Sequence, residues 1–335
     1  MSGSGPGLDR DGLDGDLRDL VEGTLDGQQL ALSRLISHIE DRKPGYRAAM
    51  RAIYRESGDA RIIGITGQPG AGKSTLVDKV VDRYREQGLT VGVIAVDPSS
   101  PYSGGSVLGD RIRQTSRSED PEVFFRSMSS RGQGGGLAAA TFDVIHAMDA
   151  FGKDVVLIET VGAGQNEVDI VSVAETVCVV TIPGAGDDIQ ANKAGILEIA
   201  DVFAVNKADL DGAHTTRKEL LQMIRIGNDL DDSDERRWMP PIELTTATRG
   251  EGVDELLEAF DDHYEFLTDT GRLSEERAAR FRQELRTHVD AELSALVDRL
   301  VAARAPDHED GDPHTGAEAV LAPLRAAVEA ELDGD

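Results

Sequence analysis

Cysteine is nearly missing from this chain of 335 residues; the one present, Cys178, lies in the strand-like run VCVVTI. A lone thiol has no disulfide partner, and no neighbours give it a metal-binding spacing, so it reads as a buried core residue. Long apolar runs are missing as well: none approaches the ~20 residues that span a membrane. The opening residues, MSGSGPGLDRDGLDGDL, lack the basic and apolar segments of a secretion signal. A cytoplasmic protein with no membrane partner is expected. Lysine is scarce: seven are present, and 35 Lys+Arg stand against 62 Asp+Glu for a net charge of −27. The acid is spread along the chain, which argues against a nucleic-acid partner, since phosphate backbones select basic surfaces. It suits a cytoplasm at molar salt, where a Debye length of ~3 Å relieves self-repulsion. A halophilic host is therefore expected, with an ordinary acidic protein as the alternative. Hydrophobic residues make up 39% of the chain, enough for one large α/β domain with smaller flanking parts.

Residues 1–15, rich in Gly and Asp, are expected to be disordered. Over 16–58 apolar residues recur at helical spacing, as in Leu32, Leu35, Ile36 and Ile39, with Gly23 and Pro44-Gly45 dividing two or three helices. From 59 to 268, strand-like runs alternate with helical stretches. The runs are 61–66, 90–96, 123–126, 154–159, 176–182, 202–206 and 242–244. Apolar strands separated by helices imply an α/β fold with a mainly parallel sheet covered on both faces, ligands binding beyond the carboxyl ends of the strands. Over 269–335 the pattern is helical again, with one helix from Leu273 to about Arg304, a polar break, and a second from Ala317 to Leu332. Leu285, Val289, Leu293, Leu296, Val297 and Leu300 form a stripe at helical spacing. We read this segment as a dimerisation arm; packing on its own domain is the alternative.

The stretch 61–75, RIIGITGQPGAGKST, is G-x-x-x-x-G-K-S between a strand and a helix expected from Thr75. Gly67, Gly70, Ala71, Gly72 and Thr75 would present backbone N–H groups to phosphate oxygens at a helix N-terminus. Lys73 would reach the β- and γ-phosphates and Ser74 would offer its hydroxyl to Mg²⁺. About 130 residues later, Asn206-Lys207-Ala208-Asp209 follows another strand. An aspartate there accepts from both N1–H and the exocyclic amine of guanine, a donor pair adenine lacks. Asn206 would tie this loop to the phosphate loop, and Lys207 would lie over the base. Thr246 and Ala247 fit the loop whose backbone N–H meets O6. The nucleotide expected is GTP, with GDP as product. Mg²⁺ takes an octahedral oxygen shell with few carboxylates, and Ser74, Asp97, Asp110 and Glu159 are its candidate ligands. Asp97 and Glu159 close strands, and Gly162, in Glu159-Thr-Val-Gly162, would sense the γ-phosphate.

Three longer stretches carry a family resemblance: Asp97-Pro-Ser-Ser-Pro-Tyr-Ser-Gly-Gly-Ser-Val-Leu-Gly-Asp110-Arg111, Glu159-Thr-Val-Gly-Ala-Gly-Gln-Asn-Glu167, and the segment from Pro183 to Ile196. They resemble the switch segments of the MeaB/ArgK family of G proteins. The resemblance covers about residues 20–300 and implies a P-loop NTPase of the SIMIBI type, flanked by N- and C-terminal helical segments. It implies a GTPase that chaperones an adenosylcobalamin-dependent acyl-CoA mutase, chiefly methylmalonyl-CoA mutase, gating cofactor loading and protecting or rescuing the mutase. It also implies a homodimer joined through the C-terminal arm. A third switch maps onto about Gly184–Ile196. There Lys193 either stabilises charge on the γ-phosphoryl or pairs with Asp187 or Asp188. Lys73, Asp110, Glu159 and Lys193 are thus the candidate catalytic residues, and Gln165, Gln190 or Asp110 the candidates for orienting water. A metallochaperone GTPase and an ArgK-type kinase linked to amino-acid transport are the alternatives. The segment Arg126–Gly136 matches the family's glycine-rich loop only loosely, and no cobalamin-binding D-x-H-x-x-G pattern is present.

Overall fold

The run TVCVVT becomes β5 (Thr176–Thr181), a strand that sends Val177 and Val179 to one face of a sheet and Cys178 and Val180 to the other, all buried. Both faces are therefore apolar, the sequence signature of a covered parallel sheet. A computed structural model describes residues 13–97, 120–129, 136–160, 170–184, 199–229, 238–304 and 312–332. Its other strands are β1 (Arg61–Gly67), β2 (Val91–Asp97), β3 (Val123–Ser129), β4 (Val155–Thr160), β6 (Val202–Asn206) and β7 (Ile242–Thr245). The seven form one sheet in the order β3-β2-β4-β1-β5-β6-β7, and every pairing is parallel. These are the seven runs expected from the sequence.

One face packs on α4 (Lys73–Glu86) and on α7 (Val253–Asp269), through Leu76, Val77, Val80, Leu256 and Phe260. The other is covered by α1 (Gly15–Leu25), α2 (Gln29–Glu40), α3 (Tyr46–Tyr54), α5 (Gly136–Ala150) and α6 (Ala213–Asp229). The expected N-terminal helices are thus three. They share the core of the sheet, and Arg126 of edge strand β3 binds Ser37 (3.1 Å) and Glu40 on α2. That contact ties the edge strand to the helical layer.

The amino ends of the strands are fastened by acids, Asp149 and Glu175 buried and Asp201 half-buried. Asp149 accepts the N–H groups of Gly58 (2.6 Å), Asp59 (3.3 Å) and Ala60 (3.1 Å) just before β1. Glu175 receives Arg277 at 2.8 Å and Arg280 at 3.5 Å, joining the first turns of α8 (Arg272–Arg304) to β5. Asp201 accepts Val177 N–H (2.8 Å) and lies 3.4 Å from His263, whose other ring nitrogen meets Thr176 at 2.9 Å. Burial pushes Asp201 up to about 7 and His263 down to about 4.

Two helices start two or more residues earlier than expected. Helix α4 starts at Lys73, because Gly72 at φ +89° serves as its cap and accepts Leu76 N–H at 2.9 Å. Helix α9 (Pro313–Leu332) starts inside the expected polar break, since Asp312 accepts the N–H groups of His314 (2.9 Å) and Thr315 (3.0 Å) and proline suits a first helical position. The chain divides into two compact units, Met1–Gln283 and Glu284–Asp335. In the second, Leu285, Val289, Leu293 and Val301 are exposed, while Ala291 and Val320 are buried. No described helix is long and apolar enough to cross a membrane. Most of the acidic insert at 229–235 lies outside the described residues.

Candidate nucleotide site

The phosphate loop leaves the sheet at its centre, between β4 and β5. Gly67 ends β1 at φ +134°, and a Cβ there would lie 2.0 Å from the Val180 carbonyl oxygen. Only glycine admits this approach of two backbones. Gly70 (φ +76°) and Gly72 (φ +89°) continue the left-handed turn, and a Cβ on Gly72 would meet Asn206 Nδ2 at 2.5 Å. The loop is thus shaped by its glycines, with α4 aimed into it and Ala71 fully buried. Lys73 is 6% exposed, and its ammonium donates to the carbonyls of Gly67 (2.6 Å) and Gln68 (3.2 Å). Thr75 is exposed in the first turn of α4.

Two oxygens of the expected metal site meet directly. Ser74 Oγ donates its proton to Glu159 Oε1 at the end of β4. A hydroxyl whose proton is held by a carboxylate keeps its lone pairs for a cation, so this pair fits a small hard metal ion. Beside it, the buried hydroxyls of Thr66 and Thr160 bond at 3.0 Å, joining β1 to β4 where both leave the sheet. Asp97 ends β2, paired with Ser129 one step beyond the Val96–Thr160 pairing, and so belongs to the same carboxyl-end rim.

The second half of the site comes from β6 and β7. Asn206 donates to Ala71 O at 2.8 Å and accepts from Ala247 N (3.1 Å) and Thr245 Oγ1 (3.2 Å). One side chain therefore joins the phosphate loop to the second base loop. Lys207, at φ +58°, reaches back to Gly70 O at 2.8 Å. Thr246 donates to Glu251 O at 2.9 Å, and Asp209 lies 3.3 Å from Arg249. The structure thus gathers Gly67 to Ser74, Glu159, Asn206, Lys207, Asp209, Thr246 and Ala247 along one rim of the sheet. Asp110, Gly162 and Lys193, with Gln165, Asp187, Asp188 and Gln190, lie outside the described residues. Sequence reading passed over Thr66, Thr160 and Arg249, whose partners become visible only once strands and loops are in register.

Comparison with known proteins gives the family. Residues 32–304 match the family described as methylmalonyl Co-A mutase-associated GTPase MeaB. A protein of Pyrococcus abyssi is 46% identical over 310 residues, spanning 90% of this chain and 95% of its own. The GTPase ArgK of Escherichia coli is 34% identical over 271 residues, 80% of this chain and 82% of its own. A solved structure described as a LAO/AO transport system kinase superposes with a TM-score of 0.68 at 26% identity, covering 93% of this chain and 99% of that one. This chain is a GTP hydrolase with the P-loop NTPase fold, and it belongs to the MeaB family of methylmalonyl-CoA mutase-associated GTPases.

Proposed function

We propose that GTP hydrolysis by this protein times its action on an adenosylcobalamin-dependent acyl-CoA mutase, with methylmalonyl-CoA mutase as the client, gating cofactor loading and protecting or reactivating the mutase. The observation that carries this reading is the match over residues 32–304 to a family described by its mutase association.

In the chemistry proposed, backbone N–H groups of Gly70 to Ser74 cradle the phosphates at the positive end of α4. Lys73 turns from its two carbonyl partners to the β- and γ-phosphates, exchanging one set of oxygens for another of higher charge. Ser74 and Glu159 would hold Mg²⁺, with Asp97 and Asp110 as further candidates, directly or through water. Bound there, Mg²⁺ would neutralise charge on the β- and γ-oxygens. Gly162 registers the γ-phosphate, and Lys193 stabilises charge that develops on it. Asp209 accepts from guanine while Asn206 holds the base loops to the phosphate loop. We assign residues 16–58 to a helical flank, 59–268 to the GTPase domain and 269–335 to the arm that makes a cytoplasmic homodimer. The exposed apolar row Leu285, Val289 and Leu293 supports that arm.

The test is GTP turnover by the full chain with and without the mutase encoded in the same genome, joined to a pull-down of that mutase. Turnover that rises severalfold on adding the mutase is expected; a mutase that neither binds nor changes turnover rejects the reading. The kinase alternative is separated by the same assay, since it requires labelled phosphate on a protein acceptor rather than free phosphate.

A further inference from the structure

Asp209 does not stand alone at the end of β6. Its Oδ2 accepts a hydrogen bond from Arg249 Nη2 at 3.3 Å, and the other terminal nitrogen of that guanidinium lies 3.6 Å from Glu251. Arg249 is carried on the turn 246–251, which is closed by Thr246 N–H donating to Glu251 O at 2.9 Å. The start of the same turn is pinned by Ala247 N–H on Asn206, and Ala208 N–H donates to Thr245 O at 3.0 Å. The loop that carries the arginine is therefore fastened to the loop that carries the aspartate.

A carboxylate at a partly exposed loop position turns freely about its last torsion. A base with two adjacent donors needs both oxygens in one plane, so that freedom must be lost on binding. A guanidinium resting on one oxygen removes it beforehand and still leaves a lone pair on each oxygen. We propose that Arg249 is a specificity-positioning residue: it holds the Asp209 carboxylate in the orientation that accepts N1–H and the exocyclic amine of guanine together. The inference rests on Asp209 as the reader of guanine. Hypoxanthine has N1–H but no exocyclic amine, so it gains less from a fixed carboxylate. Arg249 thus raises the preference for guanine over hypoxanthine rather than affinity for nucleotides in general.

Calorimetric titration of the full chain and of its Arg249→Ala and Arg249→Lys variants with GDP, IDP and ADP tests this at low salt. Arg249→Ala should weaken GDP about fivefold, which is about 1 kcal/mol, while IDP weakens less than about twofold. Arg249→Lys should recover part of the loss, and thermal unfolding checks that each variant is folded. Equal weakening of GDP and IDP gives Arg249 a purely structural role and overturns the proposal. Tighter GDP binding in Arg249→Ala means the arginine competes with the base, and overturns it too. A wild-type protein that binds ADP as tightly as GDP overturns the guanine reading itself, and the proposal with it.

Discussion

Replacing Asn206 by aspartate scarcely alters shape but reverses one hydrogen bond. Asn206 is 2% exposed; its Nδ2 donates to Ala71 O at 2.8 Å, while Oδ1 accepts from Ala247 N and Thr245 Oγ1. In Asn206→Asp the accepting oxygen keeps both donors, but the second oxygen faces the Ala71 carbonyl with no proton between them. The unsatisfied buried carbonyl costs about 1–3 kcal/mol, and the buried charge brings the total to about 3–5 kcal/mol. In a domain of this size that lowers Tm by about 5–10 °C. Acid should repair the contact, because a protonated carboxyl donates where the amide did. Burial and the Ala71 oxygen push the new carboxyl above its unfolded value of ~3.9. The folded state then holds more protons over that interval. Relative to wild type, stability is therefore fullest below the unfolded value and is lost as pH rises through the folded one. Thermal unfolding of both proteins from about pH 4.5 to 8.5 measures this, with GDP affinity read at the two ends. The Tm gap should be wide in base and narrow in acid. A gap that stays constant across the range refutes the reasoning, since the oxygen would then take up no proton for Ala71.

Gly67→Ala should unfold the sheet centre or leave the chain insoluble, because its Cβ meets the Val180 carbonyl at 2.0 Å; Gly70→Ala, with nothing within 4 Å, should cost only about 1–2 kcal/mol for its positive φ, and equal losses in urea unfolding would contradict the distinction. Glu159→Gln removes the charge that meets Ser74, so half-maximal hydrolysis should need about tenfold more Mg²⁺ or more; an unchanged Mg²⁺ titration counts against Glu159 at the metal. His263 is pushed down to about 4 and Asp201 up to about 7, so between about pH 4 and 6.5 the first loses stability on acidification and the second loses it as pH rises, and the two slopes offset. Asp201→Asn should expose the histidine slope as a loss of up to about 3 kcal/mol from pH 6.5 to 4, and a urea midpoint that tracks wild type throughout would disprove it. With a net charge of −27, Tm should rise clearly between low salt and molar KCl; a flat response ends the proposal of a high-salt host.

The central strands were legible because they are apolar on both faces, as in Val177 to Val180. The phosphate loop was legible because its glycines answer to positive φ and close approach, and Gly67 against Val180 shows the reason. Strand order was not legible. Nothing in the chain near Gly67 says that the strand carrying Glu159 is its neighbour on one side and the strand ending in Thr181 its neighbour on the other. The pairings that depend on that order, Thr66 with Thr160, Glu175 with Arg277 and Arg280, and Asp209 with Arg249, were therefore out of reach, since each joins residues far apart in sequence. Asn206 lies between these cases. Its side chain has one donor group and one acceptor, and the sheet order puts a carbonyl of the phosphate loop on the first and an amide of the second base loop on the other. A side chain of that size cannot follow both loops if they separate. The three hydrogen bonds of Asn206 therefore hold the phosphate and base halves of the site at one spacing.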